Sequence, residues 1–308
     1  MESKTYVFKS SEGNLAWAVV TAESVTCYVP QMGDWYEQKF NLPDGTDWAA
    51  VAKACLQQCH VWISGEGTES SMLPGQYHPR IWRGLYSPNS IFEGYDRLSP
   101  RGVYGSTYNS CIVASESLFA EVKELFRIVE PCERNAGTYG HRIRELLILL
   151  CTEIEACWSG VLKANGKGKG IGRLSTQDYV WTCEPLRLKE WKVKLKDYDV
   201  FLEPFVEWSP ERPTQSIPWY DAYNKVKHDR EGSFEYASMF SVLQSAAALH
   251  ILQVAQFGPG IFDMLHGNRF SIFELVGLPE FSLDEIYYAY PLTKDGFVSP
   301  LMFGSPNK

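Results

Sequence analysis

The stretch from Tyr139 to Leu162 most constrains what this chain can become. Ile143, Leu147, Leu150, Ile154, Trp158 and Val161 recur at helical spacing, and Leu146, Ile148 and Leu149 add apolar side chains on other faces. The pattern predicts one long helix buried nearly all round, and such a helix needs further helices to enclose it. Two candidates flank it. Ser115 to Ile128 carries Leu118, Val122, Leu125 and Phe126, and Ser233 to Phe257 carries Ala237, Phe240, Leu243, Ala247, Ile251 and Val254 before Gly258-Pro259-Gly260 stops it.

The first hundred residues follow another period. Thr5 to Phe8, Leu15 to Val20 and Val25 to Val29 are short β-branched or aromatic runs separated by turn residues, with Asp34 to Phe40 as a further strand. Asp47 then caps an apolar helical pattern ending near His60. From Gly65 to Gly105 the chain is rich in Gly, Pro, Ser, Tyr and Arg without clean periodicity, which predicts a long structured loop. Lys192, Lys194 and Lys196 alternate with Val193 and Leu195 as an edge strand or extended arm would. Phe270 to Leu275 and Ile286 to Tyr290 are strand-like and are expected to pair with the N-terminal strands. The expectation is an α+β protein: a β-rich region over 1–108, a helical bundle over 109–258, and a C-terminal β extension over 259–308 packing on the N-terminal region.

No run approaches the 18 or so uninterrupted apolar residues of a membrane span, and Met1-Glu2-Ser3-Lys4 lacks the order of a secretion signal. We therefore expect a cytoplasmic protein without a membrane partner. Its eight cysteines read as reduced thiols. Cys55, Cys59 and His60 stand without a second ligand pair at zinc-finger distance, so neither metal nor other cofactor is expected. The ten Trp and seventeen Tyr suit either a binding surface or an aromatic core. A net charge of −8 argues against a general nucleic-acid coat. Residues 160–230 hold thirteen Lys/Arg against ten Asp/Glu, a local +3 that fits a confined anion site.

That basic middle ends in Trp219-Tyr-Asp-Ala-Tyr-Asn-Lys-Val-Lys-His-Asp-Arg230. As a helix it buries Trp219, Tyr223 and Val226. Asp221, Asn224 and His228 then share a second face, with Lys225, Lys227 and Arg230 close by. An imidazole beside an amide, a carboxylate and cations suits chemistry or binding at a phosphodiester. The simpler reading is a surface histidine hydrogen-bonded to Asp221 or Asn224, with the lysines as a solvated face. Glu153 and Glu155 lie in a very apolar helix and need partners, which Arg144 or Lys227 could supply.

The order of helices, with His141-Arg-Ile-Arg-Glu opening the long one and Tyr223-Asn-Lys-Val-Lys-His228 opening the last, resembles the HEPN superfamily of bacterial helical bundles over residues 111–258. The phrase resembles a Tyr-Asn-x-x-Lys-His variant of defence-associated members. Active members are metal-independent ribonucleases with an Arg, four to six residues and a His, two such motifs meeting across a dimer. The resemblance implies His228 as general acid/base with Asn224 and Asp221 orienting it. It further implies phosphate held by Lys225, Lys227, Arg230, Arg144 and His141, and a homodimer. No Arg fills the matching window before His228, whereas Arg134-Asn135 and His141 satisfy the spacing ahead of another helix. The expected function is an RNA-cleaving effector in phage defence or stress, with RNA as substrate and a protein partner or phage component as trigger. The alternatives are a non-catalytic module binding a protein, nucleotide or RNA, and a ligand sensor using the aromatic N-terminal region.

Overall fold

The computed structural model describes residues 3–11, 13, 15–29, 36–41, 47–74, 76–83, 100–167, 174–262 and 269–287, with backbone alone at 36, 37, 100–104 and 230. The protein is α+β and divides into two units. One holds Met1–His78, Arg83–Val103 and Glu280–Ser299, and the other holds Pro79–Trp82, Tyr104–Pro279 and Pro300–Lys308.

The first unit is a five-stranded antiparallel sheet in the order β4-β3-β2-β1-β5, formed by β1 (Lys4–Lys9), β2 (Leu15–Val20), β3 (Ser24–Val29), β4 (Tyr36–Asn41) and β5 (Thr68–Ser70). Strand alternation sorts its side chains. Tyr6, Phe8, Ala16, Ala18, Val25 and Cys27 face helix α1 (Trp48–Gln58), which brings Ala52, Cys55, Leu56 and, just past its end, Cys59. Val7, Leu15 and Trp17 face the other way and are covered by Leu283 and Ile286. The Asp47 carboxylate accepts from Ala49 N and Ala50 N at 3.1 Å each, as its place before the apolar pattern predicted.

The second unit is built on α2 (Pro100–Leu125), α3 (His141–Ala164), α4 (Pro218–His228) and α5 (Met239–Phe257). Helix α2 begins well before the expected Ser115 and bends at Gly105, whose φ of 53° is left-handed. Its first turns are poor in helix-forming residues. Burial of Tyr108 and Ile112, in step with Phe119 and Val122, overrides that local preference. The helix enclosed on all sides is α5, not α3: in α5 only Phe240 and Gln244 escape burial, whereas Leu149 of α3 is 49% exposed. By length and composition α5 could cross a membrane, but the protein itself encloses it. Trp158 stands at the centre of an aromatic cluster, with ring centroids 4.9 Å from Trp208, 5.2 Å from Tyr179 and 5.3 Å from Tyr220. Much of the Trp and Tyr content is therefore core.

Lys192–Leu195 (β6) is a central strand and not an edge. It pairs with β7 (Phe201–Leu202) on one side and β8 (Phe273–Gly277) on the other, all antiparallel. The expected pairing of Phe270–Leu275 with the N-terminal strands is thus replaced by a pairing inside the helical unit. Val193 and Leu195 are fully buried while Lys192 and Lys194 reach Glu203 (3.1 Å) and Asp199 (3.7 Å), so the alternation expresses a one-sided sheet. Ile286 and Tyr287 are not strand; the rest of that expected strand and the start at Asp34 lie outside the described residues.

Candidate functional site

Helix α4 forms where the sequence placed it, with Pro218 in its first turn. Its buried face is broader than the expected stripe, adding Tyr220 and Ala222 to Trp219, Tyr223 and Val226. Tyr220 is the residue sequence reasoning missed. Its hydroxyl donates to Glu155 Oε1 of α3 at 2.7 Å, and burial pushes its pKa up. Lys227 Nζ donates to the Tyr223 hydroxyl at 2.7 Å and lies 3.9 Å from Glu155 Oε1. Glu155 therefore does meet Lys227, as its need for a partner suggested.

The three residues expected to form the catalytic set go separate ways. The Asp221 carboxylate pairs with Lys225 at 2.8 Å, one turn on, and this pairing raises the Lys225 pKa. Asn224 Nδ2 donates to the Tyr220 carbonyl at 3.0 Å. His228 is exposed in the last position of α4, and among the described residues nothing hydrogen-bonds it. Lys225 Nζ also sits 4.4 Å from the centre of the Tyr236 ring. Arg144 is brought to the same end of α4, where Nη2 donates to the Val226 carbonyl at 3.3 Å and satisfies one of the helix's terminal acceptors. His141, at the start of α3, packs on Phe234 with ring centroids 4.9 Å apart. The side chain of Arg230 lies outside the described residues. Lys225 and His228 are thus exposed near the end of α4, while half-buried Arg144 holds the backbone there, and neither Asp221 nor Asn224 hydrogen-bonds the imidazole.

A second location was not singled out from the sequence. A cavity of about 570 Å³ opens in the helical unit between the end of α2, the turn after β6 and the segment leading into β8. Phe126, Tyr198, Phe262 and Phe270 give it aromatic walls. Its charged lining is Lys123, Arg127, Lys196 and Arg269 with Glu124 and Asp197, and Arg269 is paired with Glu116 at 3.2 Å. Lys123 Nζ lies 5.7 Å from the Phe270 ring centre, and Arg127 pairs with Glu124 at 2.9 Å. Lys196 Nζ donates to the Ser271 carbonyl at 2.8 Å, and burial lowers its pKa. Behind the wall His250 Nδ1 meets Ser271 Oγ at 2.8 Å, and the imidazole stacks on Phe262 at 4.6 Å. Burial, aided by Lys196, brings the His250 pKa down to about 3, so the ring is neutral. The volume suits a mononucleotide-sized ligand.

No protein-family model, curated protein or solved structure matches this chain. The residues carry the functional reading alone. Of the metal triplet weighed in the sequence, Cys55 and Cys59 turn into the sheet core beside Cys27, where burial raises all three thiol pKa values, while His60 is exposed. Buried neutral thiols of this kind are inert filling.

Proposed function

We propose that the helical unit is a HEPN-like module that binds a single-stranded RNA segment in the cavity lined by Lys123, Arg127, Lys196 and Arg269, and does not cleave it. The supporting observation is the cavity itself: aromatic faces beside four cationic side chains, with Lys123 set over the Phe270 ring, on a chain whose net charge is −8. Stacking of one base on a wall such as Phe270 or Tyr198 contributes about 1–3 kcal/mol, and the cations neutralise the flanking phosphate. The separate engagements of Asp221 and Asn224 speak against a preformed catalytic centre on α4. A role in antiviral defence or stress is what the HEPN resemblance implies.

A second reading keeps ribonuclease activity, with the site completed by a second copy of the chain. It is favoured by the exposure of His228 one turn from the exposed Lys225, with Arg144 donating to the Val226 carbonyl of the same helix.

One set of experiments separates the two. Fluorescence anisotropy of a short labelled RNA is measured in EDTA with the unaltered protein, Lys123→Glu and His228→Ala, and the RNA ends are examined. The binding reading expects intact RNA, affinity reduced about tenfold or more by Lys123→Glu, and no effect of His228→Ala. Cleavage that leaves 2′,3′-cyclic phosphate ends and disappears in His228→Ala would replace it with the second reading. Absence of both binding and cleavage overturns both.

A further inference from the structure

The segment Pro79–Trp82 comes from the region without periodicity, yet it is firmly seated in the helical unit. Asn165 Nδ2 donates to the Pro79 carbonyl at 2.8 Å, Trp82 N donates to the Ala255 carbonyl at 2.9 Å, and Ile81 is buried. Between them Arg80, with a left-handed φ of 59°, is driven into the interior and is only 9% exposed. A non-glycine residue in that conformation costs about 1 kcal/mol or more, so the surrounding contacts hold it there.

Arg80 Nε donates to Gln256 Oε1 at 2.8 Å, and Nη2 lies 3.8 Å from Cys111 Sγ. Gly160 makes room for it, since a Cβ at that position would collide with the guanidinium. On the other side of Cys111 stands the fully buried Cys157: Gln253 Nε2 lies 3.5 Å from both the Cys111 carbonyl and the Cys157 sulfur. The same Nε2 donates to Ser115 Oγ at 2.8 Å. Glu153 of α3 also lies in the field of Arg80, so among the described residues the charged groups facing Cys111 are one guanidinium and one carboxylate. Two sulfurs from neighbouring helices are therefore held together in a polar frame within the core, and only Cys111 reaches solvent.

A purely structural cysteine pair would not need a guanidinium brought in from elsewhere at the cost of its desolvation. The neighbouring Cys157 thiol, opposed by burial and assisted by Arg80, brings the Cys111 pKa down to about 7. The same interaction holds Cys157 protonated, its pKa pushed far up. One sulfur is thus prepared as a nucleophile, and the other is a protonated thiol beside it.

We propose that Cys111 is a hydroperoxide-reactive thiol and that Cys157 resolves its oxidised form as a disulfide joining α2 to α3. The Cys111 thiolate attacks the distal oxygen of the hydroperoxide. The S–O bond forms as the O–O bond breaks, and the departing alkoxide takes a proton from solvent to leave as an alcohol. Cys111 is now a sulfenic acid. The Cys157 sulfur then attacks the Cys111 sulfur: the S–S bond forms, the S–O bond breaks, and the Cys157 proton leaves with the hydroxide as water. Two thiols and one hydroperoxide give one disulfide, one alcohol and one water.

The test treats the reduced full chain with one equivalent of hydrogen peroxide, followed by alkylation and peptide mass analysis. The expected product is a linked pair of peptides containing Cys111 and Cys157, with two thiols lost per peroxide. Cys157→Ser should stop at a Cys111 sulfenic acid that a 1,3-dione traps. Arg80→Gln should slow the first step about tenfold at pH 7, because less thiolate is present. If that variant does not fold, the pH profile of Cys111 alkylation in the unaltered protein decides, with a midpoint near 7 supporting the assignment. Oxidation falling first on another cysteine, a Cys111 alkylation midpoint at 8.5 or above, or a Cys111 sulfinic acid without linkage to Cys157 would each overturn it.

Discussion

His250 shows how one buried side chain sets a response of the whole fold. Its Nδ1 is used by Ser271, its ring lies among Phe119, Phe262 and Phe273, and Lys196 faces it. Above its ordinary pKa of 6.5 the ring is neutral in the folded and unfolded chain alike. Below that, the unfolded chain gains a proton that the folded one refuses until about pH 3, so stability falls as the medium is acidified. The slope reaches about 1.4 kcal/mol per pH unit. Glu153, its pKa raised by burial, acts in the opposite sense, so the comparison must be with a variant. His250→Gln should show a smaller loss of urea midpoint between pH 7 and 5 than the unaltered protein, and equal losses would refute the assignment. None of this could be read from the sequence, where His250 is one polar residue in an apolar helix. Asp221 and Lys225 were better signposted, because a spacing of four brings them together on any helix.

Legibility ran with locality at the scale of elements. The cap at Asp47 and the strands from Lys4 to Val29 depend on neighbours a few residues away, and each formed where the pattern predicted. Strand β6 was misjudged because its position depends on β8, roughly eighty residues later, and no short window contains that partner. The same holds for the groups at the candidate sites. Arg80 meets Gln256, Lys196 meets Ser271, and Tyr220 meets Glu155 across long separations that a one-dimensional pattern does not encode. The last of these ties α4 to α3. Tyr220→Phe keeps the ring in the Trp158 cluster and removes only the hydroxyl, leaving Glu155 with Lys227 as its remaining described partner. The expected loss is about 1–2 kcal/mol in chemical denaturation. An unchanged midpoint would mean that water replaces the hydroxyl without penalty.

Each unit carries its own core, so unfolding should not be a single event. The tail beyond Pro279 covers Val7, Leu15 and Trp17 with Leu283 and Ile286, and the Ser70 hydroxyl donates to the Asp284 carbonyl at 3.4 Å. Replacing both Leu283 and Ile286 by Ala should cost the sheet unit about 2–4 kcal/mol, since both side chains are half-buried. The helical unit should keep its own transition. Hydrogen exchange resolved by peptide would show faster exchange in β1 and β2 with α3 and α5 unchanged, and equal acceleration in both units would refute their independence. The enclosure of α5 carries one more consequence, for synthesis. Helices α2, α3 and α4, against which α5 packs, all precede it in the chain, so at the ribosome they wait with an unfilled apolar groove until Met239–Phe257 emerges. A chain interrupted before Met239 would be left with that groove open and would be a substrate for chaperones rather than a shortened protein.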